Sequence, residues 1–479
     1  MLATVAAGAP LLFALAVPPA PAAAQASEAY DVVIEGGRIV DGSGNAWFRG
    51  DLAVSGDRIA RIVPPGSLAD ARASERIDAT GLVVSPGFID IQSHSRDAFL
   101  GDGDGRVISK VTQGITTEIM GESVTNGPLN PARIEWGEVD DPEERARLEA
   151  FSGARGFGGW LGAMEEHGAS VNMGSFVGGT TIRVYAKGEA MGPPTPAELD
   201  TMRAVARRAM EDGAFGFATA LIYPPGNFAT TGELVEIARA VAPFGGIYIT
   251  HMRSEADRLL EAMDEAMRIG EEGGVPVEIY HLKAAGRRNW HKAALAIEKI
   301  DSARASGLDV QANMYPYVAG GTGLSACLPP WASADGELFE NLRHPETRRR
   351  IRAEVMDPSG DWEDLCGQAT PEGVLLMGLE KPENRRWAGM RLAEASEAMG
   401  KDWVATVIDL LLSEEQRIGT LYFLMSEENV RLQLRQPWIK FGTDAEGVDP
   451  DRADEIGLVH PRSYGTFPRI LGRYVREEG

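Results

Sequence analysis

Apolar and polar residues alternate with the period of a β-strand in the first part of the chain. The segments YDVVIEGGRIV and DLAVSGDRIARIV, which begin at Tyr30 and Asp51, are joined through a turn at DGSGN, and the second contains its own Ser-Gly-Asp turn. Such alternation, bounded by glycine-containing turns, predicts antiparallel strands. Residues 27–84 are therefore predicted to form a small β subdomain.

From residue 85 onward, short apolar runs alternate with helical stretches. Eight runs are candidate strands, and in order they are GFIDIQSH, TTEIMGE, NMGSFVGG, AFGFATALIYP, GIYITHM, PVEIYHL, DVQANMYPY and PWIKFGTDA. Between the fifth and sixth runs, Leu260, Met263 and Met267 recur at helical spacing before a Gly-Gly pair that predicts a helix end. Eight alternating strand and helix units predict an α/β fold, namely a (β/α)8 TIM-type barrel over residues 85–479.

The last two candidate strands are far apart in the sequence. About 120 residues separate Tyr317 from Trp438, and they include helical segments such as ASEAMGKDWVATVIDLLL and SEENVRLQLRQP. This predicts a helical insertion at about residues 323–436. An insertion of this size at the mouth of a barrel is either a lid or pocket wall, or a structural decoration.

Charge limits the possible partners. The 479 residues include 47 basic and 70 acidic side chains, which gives a net charge of −23. This charge argues against binding to nucleic acid or to an anionic membrane by general attraction. A small anionic substrate would need locally placed cations, and the sequence does not determine the oligomeric state.

The first 26 residues resemble a signal peptide. They carry no charge, contain the apolar stretch LLFALAV and end in Ala24-Gln25-Ala26, which is similar to a signal peptidase site. No later apolar run reaches the roughly 18–20 residues that a membrane span requires. We therefore expect a periplasmic or secreted protein without a membrane span. The alternative is a cytosolic protein with an Ala/Pro-rich leader.

Cys327 and Cys366 are the only cysteines, and their separation excludes a C-x-x-C motif. We interpret them as buried packing residues. A disulfide between them is the alternative in an oxidising compartment, and the sequence does not decide between the two.

Polar residues close several of the apolar runs, and these are His94, Glu122, His251, His281, Tyr315 and Asp444. In a barrel the C-terminal strand ends surround the active site. Imidazoles with a carboxylate can bind Zn²⁺ and leave one position for water, while a free carboxylate such as Asp444 can accept the proton of that water. The pattern predicts metal-dependent amide hydrolysis. Taken singly, Asp444 could instead be a turn or capping residue and Glu122 a solvated loop carboxylate.

A set of motifs distributed along the chain adds a resemblance. IDATGLVVSPGFID, THMRSE, YHLK, YPYVAGGT, GTDAEG and HPRSYGTFPRILG together resemble the amidohydrolase superfamily, specifically its D-aminoacylase (N-acyl-D-amino-acid deacylase) family, from about residue 30 to the last residue. The resemblance implies a zinc-dependent enzyme that hydrolyses N-acyl-D-amino acids to a carboxylate and a free D-amino acid.

The resemblance also implies roles for individual residues. His251 and His281 match the histidines of the tightly bound zinc, and Asp444 matches the catalytic aspartate. Three further residues match those that bind the substrate α-carboxylate, and they are Lys283, Tyr315 and Arg462. A lysine and an arginine can hold a carboxylate by charge-assisted hydrogen bonds.

Two departures from the family pattern concern the metal. Gln92-Ser93-His94 stands where the family has His-x-His, so we expect one tightly bound zinc and a second site that is weak or absent. His94 then remains for substrate, water or a transient second ion, or has no role. Gly121-Glu122-Ser123 stands where relatives have Gly-Asn-Cys with a ligating cysteine. We favour Glu122 over Ser123 as its replacement, because carboxylates bind divalent cations well and serine hydroxyls rarely do.

A third departure lies at the end of the chain. Similar enzymes continue past GRYVREEG with strands that complete the small β subdomain, so we expect a fold that is incomplete at the C-terminus. Two alternatives to a deacylase stay open. One is another metal-dependent amidohydrolase, such as a cyclic amidase or a D-residue dipeptidase, and the other is a non-catalytic truncated barrel. The sequence does not determine the preferred D-side chain or acyl group.

Overall fold

The structure is a computed structural model that describes residues 29–100, 105–137, 139, 141–357, 362–452 and 457–479. The predicted signal peptide, residues 1–26, lies outside the described residues. The chain divides into two compact units, with the boundary between Pro86 and Gly87.

The first unit is a five-stranded sheet. Its strands are β1 (Ala29–Ile39), β2 (Phe48–Ser55), β3 (Arg58–Val63), β4 (Arg72–Asp78) and β5 (Val83–Val84). The predicted antiparallel pairing is confirmed for β1, β2 and β3. The prediction missed β4 and β5, which run parallel to β1. Alternate residues of β1 and β2, including Val33 and Ala53, pack with Leu68 in a small core.

The second unit contains two parallel sheets. Its parallel strands are β6 (Phe88–Asp90), β7 (Ile115–Met120), β8 (Asn172–Ser175), β9 (Val177–Gly178), β10 (Gly216–Ala220), β11 (Ile247–His251), β12 (Val277–Ile279), β13 (Val310–Met314) and β17 (Ile439–Phe441). One sheet has the order β6-β7-β8, and the other has the order β17-β13-β12-β11-β10-β9. A parallel strand overlaps each of the eight predicted segments. Buried apolar runs between helices are typical of parallel sheets.

Helices follow most of these strands. They are α1 (Ile108–Val111), α2 (Pro142–Ala150), α3 (Gly156–His167), α4 (Gly179–Lys187), α5 (Pro196–Glu211), α6 (Thr231–Val241), α7 (Leu259–Gly273), α8 (Lys292–Ala305) and α15 (Arg462–Arg469), which continues as a π-helix (Ile470–Glu477). The predicted helix between the fifth and sixth segments is confirmed as α7, and it ends where Gly274 adopts a left-handed conformation (φ 73°). Helix α5 begins with a capping box between Thr195 and Glu198. The apolar faces of α5 to α8 join the main core, for example through Met263 and Ile269 of α7.

The segment between β13 and β17 forms the predicted insertion. It contains α9 (Leu338–Arg343), α10 (Pro345–Val355), α11 (Leu365–Ala369), α12 (Leu392–Met399), α13 (Trp403–Glu414) and α14 (Glu427–Leu434). It also contains an antiparallel sheet of β14 (Gly320–Gly323), β16 (Gly419–Tyr422) and β15 (Val374–Leu376), which the sequence analysis missed. The insertion has its own apolar core.

Cys327 and Cys366 form a disulfide within this insertion core, with Cα atoms 4.9 Å apart. Their interpretation as buried packing residues is confirmed, and the disulfide that the sequence left open is present as well. The sequence could not decide whether they bond, because the two cysteines are 39 positions apart and meet only in the tertiary structure.

A fully buried lysine connects strand ends in the second unit. Lys110 Nζ donates to Asp90 Oδ2 (2.7 Å), Thr443 Oγ1 (2.7 Å) and the Ala445 carbonyl (2.8 Å), and it lies 3.3 Å from Glu118 Oε2. These partners belong to β6, β7 and the loop after β17. Lys110 therefore fixes the loop that carries Asp444.

Among the described residues, no helix is both long and apolar enough to cross a membrane.

Candidate metal and catalytic site

Four predicted site residues lie at or just past the C-terminal ends of parallel strands. His251 is the last residue of β11, and the other three, Glu122, His281 and Asp444, follow β7, β12 and β17 within three residues. His281 and Asp444 adopt left-handed backbone conformations, with φ of 33° and 49°. This conformation is uncommon outside glycine, and it occurs often at functional sites.

Three of these side chains converge on one point. Glu122 Oε1 lies 3.3 Å from His251 Nδ1 and 3.6 Å from His281 Nε2. Ligand atoms bound at about 2.0–2.2 Å to one tetrahedral zinc lie about 3.3–3.6 Å from each other. The three ligand atoms therefore have the spacing and the chemistry of a zinc site.

The structure distinguishes Glu122 from its neighbour Ser123. Ser123 has a φ of 64°, and its hydroxyl lies 2.9 Å from Thr180 Oγ1, away from the two histidines. Burial raises the pKa of Glu122, but hydrogen bonds from His251 and His281 outweigh it and hold the pKa well below its usual range. Glu122 is therefore an ionised carboxylate facing the two imidazoles.

Glu255 contacts the opposite side of both imidazoles, and the sequence analysis did not single it out. Its Oε1 lies 2.9 Å from His281 Nδ1, and its Oε2 lies 3.4 Å from His251 Nε2. A carboxylate near the outer nitrogen of a metal-binding histidine favours one orientation of the ring. The available clue was its position four residues after His251 in THMRSE.

The surrounding carboxylates also set the charge of His281. Burial and the Lys283 ammonium lower the pKa of His281, but Glu255 and Asp444 outweigh them, so the pKa is raised to about 9. A divalent cation that binds His281 Nε2 at neutral pH must therefore displace a proton.

Asp444 is buried beside this cluster and is held by three side chains. Its Oδ2 accepts a hydrogen bond from Arg462 Nη1 (2.5 Å), and its Oδ1 lies 2.9 Å from His94 Nε2 and 3.2 Å from Gln92 Nε2. Burial by itself would raise the pKa of Asp444. The Arg462 guanidinium and the nearby histidines outweigh burial and lower this pKa to about 2. Asp444 is consequently an ionised carboxylate at neutral pH.

The three residues predicted to bind a substrate carboxylate lie around one another. The Tyr315 ring centroid is 4.8 Å from the Arg462 guanidinium and 5.8 Å from Lys283 Nζ. Each cation already has a carboxylate partner, because Lys283 Nζ donates to Glu255 Oε1 at 2.7 Å and Arg462 donates to Asp444. The buried Arg462 Nε has no hydrogen-bond partner in the described part of the chain.

A small pocket adjoins the site. Its lining includes His281, Lys283, Leu282, Met314, Tyr315, Tyr317, Met425, Val430 and Gln433. Met425, Val430 and Gln433 belong to the insertion, which supports the pocket-wall interpretation over structural decoration. Gln433 is buried, and its Nε2 has no hydrogen-bond partner within the described ranges.

Two histidines and a carboxylate converging at parallel strand ends, beside a second ionised carboxylate, define a candidate site of the metal-dependent hydrolase class. No model of a known protein family matches the sequence. A D-aminoacylase from Alcaligenes xylosoxydans xylosoxydans is 34% identical over 95% of this chain and 81% of its own. An N-acyl-D-glutamate deacylase from the same organism is 31% identical over 94% and 79% of the two chains.

Solved structures agree with these relatives. A crystal structure of D-aminoacylase, described as defining a novel subset of amidohydrolases, superimposes with a TM-score of 0.71 at 30% identity, covering 94% of this chain and 82% of that one. A Bordetella bronchiseptica N-acyl-D-glutamate deacylase, complexed with zinc and a phosphonate inhibitor, superimposes with a TM-score of 0.73 at 28% identity and the same coverage. The chain belongs to the D-aminoacylase (N-acyl-D-amino-acid deacylase) family of metal-dependent amidohydrolases. The resemblance found in the sequence motifs is thereby confirmed.

Proposed function

We propose that this enzyme hydrolyses the amide bond of N-acyl-D-amino acids, giving a carboxylate and a free D-amino acid. The observation that carries the proposal is the convergence of Glu122, His251 and His281 beside the ionised Asp444. The printed activities of the relatives, D-aminoacylase and N-acyl-D-glutamate deacylase, support this substrate class and the D configuration.

The metal in this proposal is one zinc ion held by Glu122, His251 and His281. Its mixed nitrogen and oxygen donors suit zinc, and a related structure contains zinc. When bound, zinc polarises a substrate carbonyl and lowers the pKa of a water molecule. Glu255 lies close to the outer nitrogens of both imidazoles, 2.9 Å from His281 Nδ1 and 3.4 Å from His251 Nε2, and its charge favours the orientation of the two rings.

Asp444 moves the proton in the proposed reaction. Its Oδ1 faces the Glu122 side of the site, and its carboxylate is ionised at neutral pH, as acceptance of a proton from the attacking water requires. Asp444 then passes that proton to the leaving nitrogen, so that the amine departs neutral.

Arg462, Lys283 and Tyr315 bind the α-carboxylate of the substrate in this proposal. The free Arg462 Nε donor supports this role, and a buried guanidinium holds a carboxylate strongly. The adjoining pocket is lined by polar and apolar side chains in about equal measure, and Lys283 brings its ammonium to the pocket beside Tyr315.

We also propose that the two parallel sheets form one closed (β/α)8 barrel. Only Phe176 separates β8 from β9, so the sheets share a nearly continuous strand. At the other edge, Ser93 after β6 forms a parallel bridge with Ala445 after β17. Both contacts support closure.

For localisation we propose export to the periplasm or the exterior. The apolar, uncharged N-terminal sequence supports this, and the Cys327–Cys366 disulfide is the kind of bond that persists in an oxidising compartment.

The test pairs metal analysis with amine release from N-acetyl-D-leucine, N-acetyl-D-glutamate and their L enantiomers. We expect about one zinc per chain and release from the D compounds only. As a matched control, Asp444→Asn should keep its zinc but lose roughly 10²–10⁴-fold in kcat, the range for removal of a general base. Absence of zinc, or equal release from D and L substrates, would overturn the proposal.

A further inference from the structure

The Gln92 side chain lies between the two carboxylates of the site. Gln92 Nε2 donates to Glu122 Oε2 (2.5 Å) and to Asp444 Oδ1 (3.2 Å), and the residue is 1% exposed. These partners fix the orientation of the amide, because the opposite orientation would turn its oxygen toward two carboxylate oxygens. A neutral amide therefore connects the proposed metal ligand to the proposed proton carrier.

His94 reaches the same two oxygens. His94 Nε2 lies 2.9 Å from Asp444 Oδ1 and 3.5 Å from Glu122 Oε2. The ligand atoms of these three residues lie within 4.8 Å of one another, which is the spacing of a cation site. A second cation held there would bind the oxygens to which Gln92 Nε2 now donates. The amide would have to give up both hydrogen bonds in a buried position.

We propose that the Gln92 amide takes the place of a second cation in this enzyme. Its N–H groups bridge Glu122 and Asp444, which would otherwise repel each other, and they occupy the acceptor oxygens that a second ion needs. The site therefore takes one ion, and Gln92 is the residue that determines this stoichiometry. The inference rests on the proposed zinc site at Glu122, His251 and His281.

The proposed role of Gln92 predicts that its substitution allows a second cation to bind. Gln92→His replaces the bridging donor with an imidazole, and Gln92→Glu replaces it with a carboxylate of nearly the same shape. Either change removes the amide donor and adds a cation ligand beside His94. Gln311→His is a matched control, because Gln311 contacts Asp309 and lies outside the site.

The experiment is calorimetric titration of Zn²⁺ into the four metal-stripped proteins, with circular dichroism to verify folding. We expect one ion for the wild type and for Gln311→His. We expect two ions for Gln92→His and Gln92→Glu, with the second bound at least tenfold more tightly than any second ion in the wild type.

The outcomes separate the two proposals. Two ions of similar affinity in the wild type, or one ion in both Gln92 variants, would overturn the role of Gln92 and leave the zinc site intact. No bound ion in the wild type would overturn the zinc site itself, and the role of Gln92 with it. If one Gln92 variant fails to fold, the other still decides the question.

Discussion

At the residue scale, the direction of a few side chains determines the candidate site. Glu122 and Ser123 are neighbours, and a strand would point them to opposite faces. Strand β7 ends at Met120, and the positive φ of Gly121 (109°) and of Ser123 (64°) breaks the strand pattern around Glu122, which faces His251 and His281. The sequence-based preference for Glu122 rested on ligand chemistry, and the structure adds a geometric reason for it.

This placement predicts opposite results for two alanine variants. Glu122→Ala should lower zinc occupancy at least tenfold, because it removes one of three ligands, whereas Ser123→Ala should leave occupancy unchanged. The measurement is zinc per chain after dialysis against a weak chelator. Zinc loss from Ser123→Ala with retention in Glu122→Ala would assign the ligand to the serine instead.

At the scale of the elements, Lys110 connects three strand ends below the site. It is fully buried, and its carboxylate partners Asp90 and Glu118 are fully buried as well. The attraction of the two carboxylates outweighs burial, so the pKa of Lys110 is raised. The three groups form a paired buried network that the apolar pattern of the sequence does not reveal.

Lys110→Met should therefore destabilise the protein strongly. It leaves two buried carboxylates without their cation, and breaking a buried ion pair costs roughly 3–5 kcal/mol. Lys299→Met is the control, because it removes a partly exposed pair with Asp264 and should cost under about 1 kcal/mol. Denaturant unfolding measures both, and equal free energies of unfolding for the two variants would contradict the structural role of Lys110.

At the scale of the whole molecule, Glu363 makes stability depend on pH. Its carboxylate accepts hydrogen bonds from the Glu255 backbone amide at 2.8 and 3.1 Å. Burial and the Glu255 charge raise the pKa of Glu363 from 4.5 to about 8. Between about pH 4.5 and 8, the folded protein therefore keeps a proton on Glu363 that the unfolded chain has already released.

The direction of the pH dependence of stability follows from this proton. The stability that protonated Glu363 contributes is complete below pH 4.5 and is lost as the pH rises through about 8. Glu363→Gln keeps an acceptor and cannot ionise, so its Tm should match the wild type at pH 5 and exceed it by several degrees at pH 9. Glu346→Gln, at an exposed carboxylate, should show no such difference. A constant Tm difference across the pH range would exclude this role for Glu363.

The sequence by itself determined the family, the strand segments and the polar residues that close them. Those features depend on local periodicity and on short motifs, and both can be read from neighbouring residues without knowledge of the tertiary structure. The helix between the fifth and sixth strands is an example, since its apolar spacing and its glycine end both lie within one segment.

Only the tertiary structure decided how the site residues meet. Gln92 and Asp444 are 352 positions apart in the sequence, and Lys110 and Thr443 are 333 positions apart. Glu255 lies near the outer ring nitrogens of His251 and His281. The disulfide likewise required the insertion to fold. These contacts depend on backbone turns and on packing between distant segments, and neither leaves a periodic trace in the sequence.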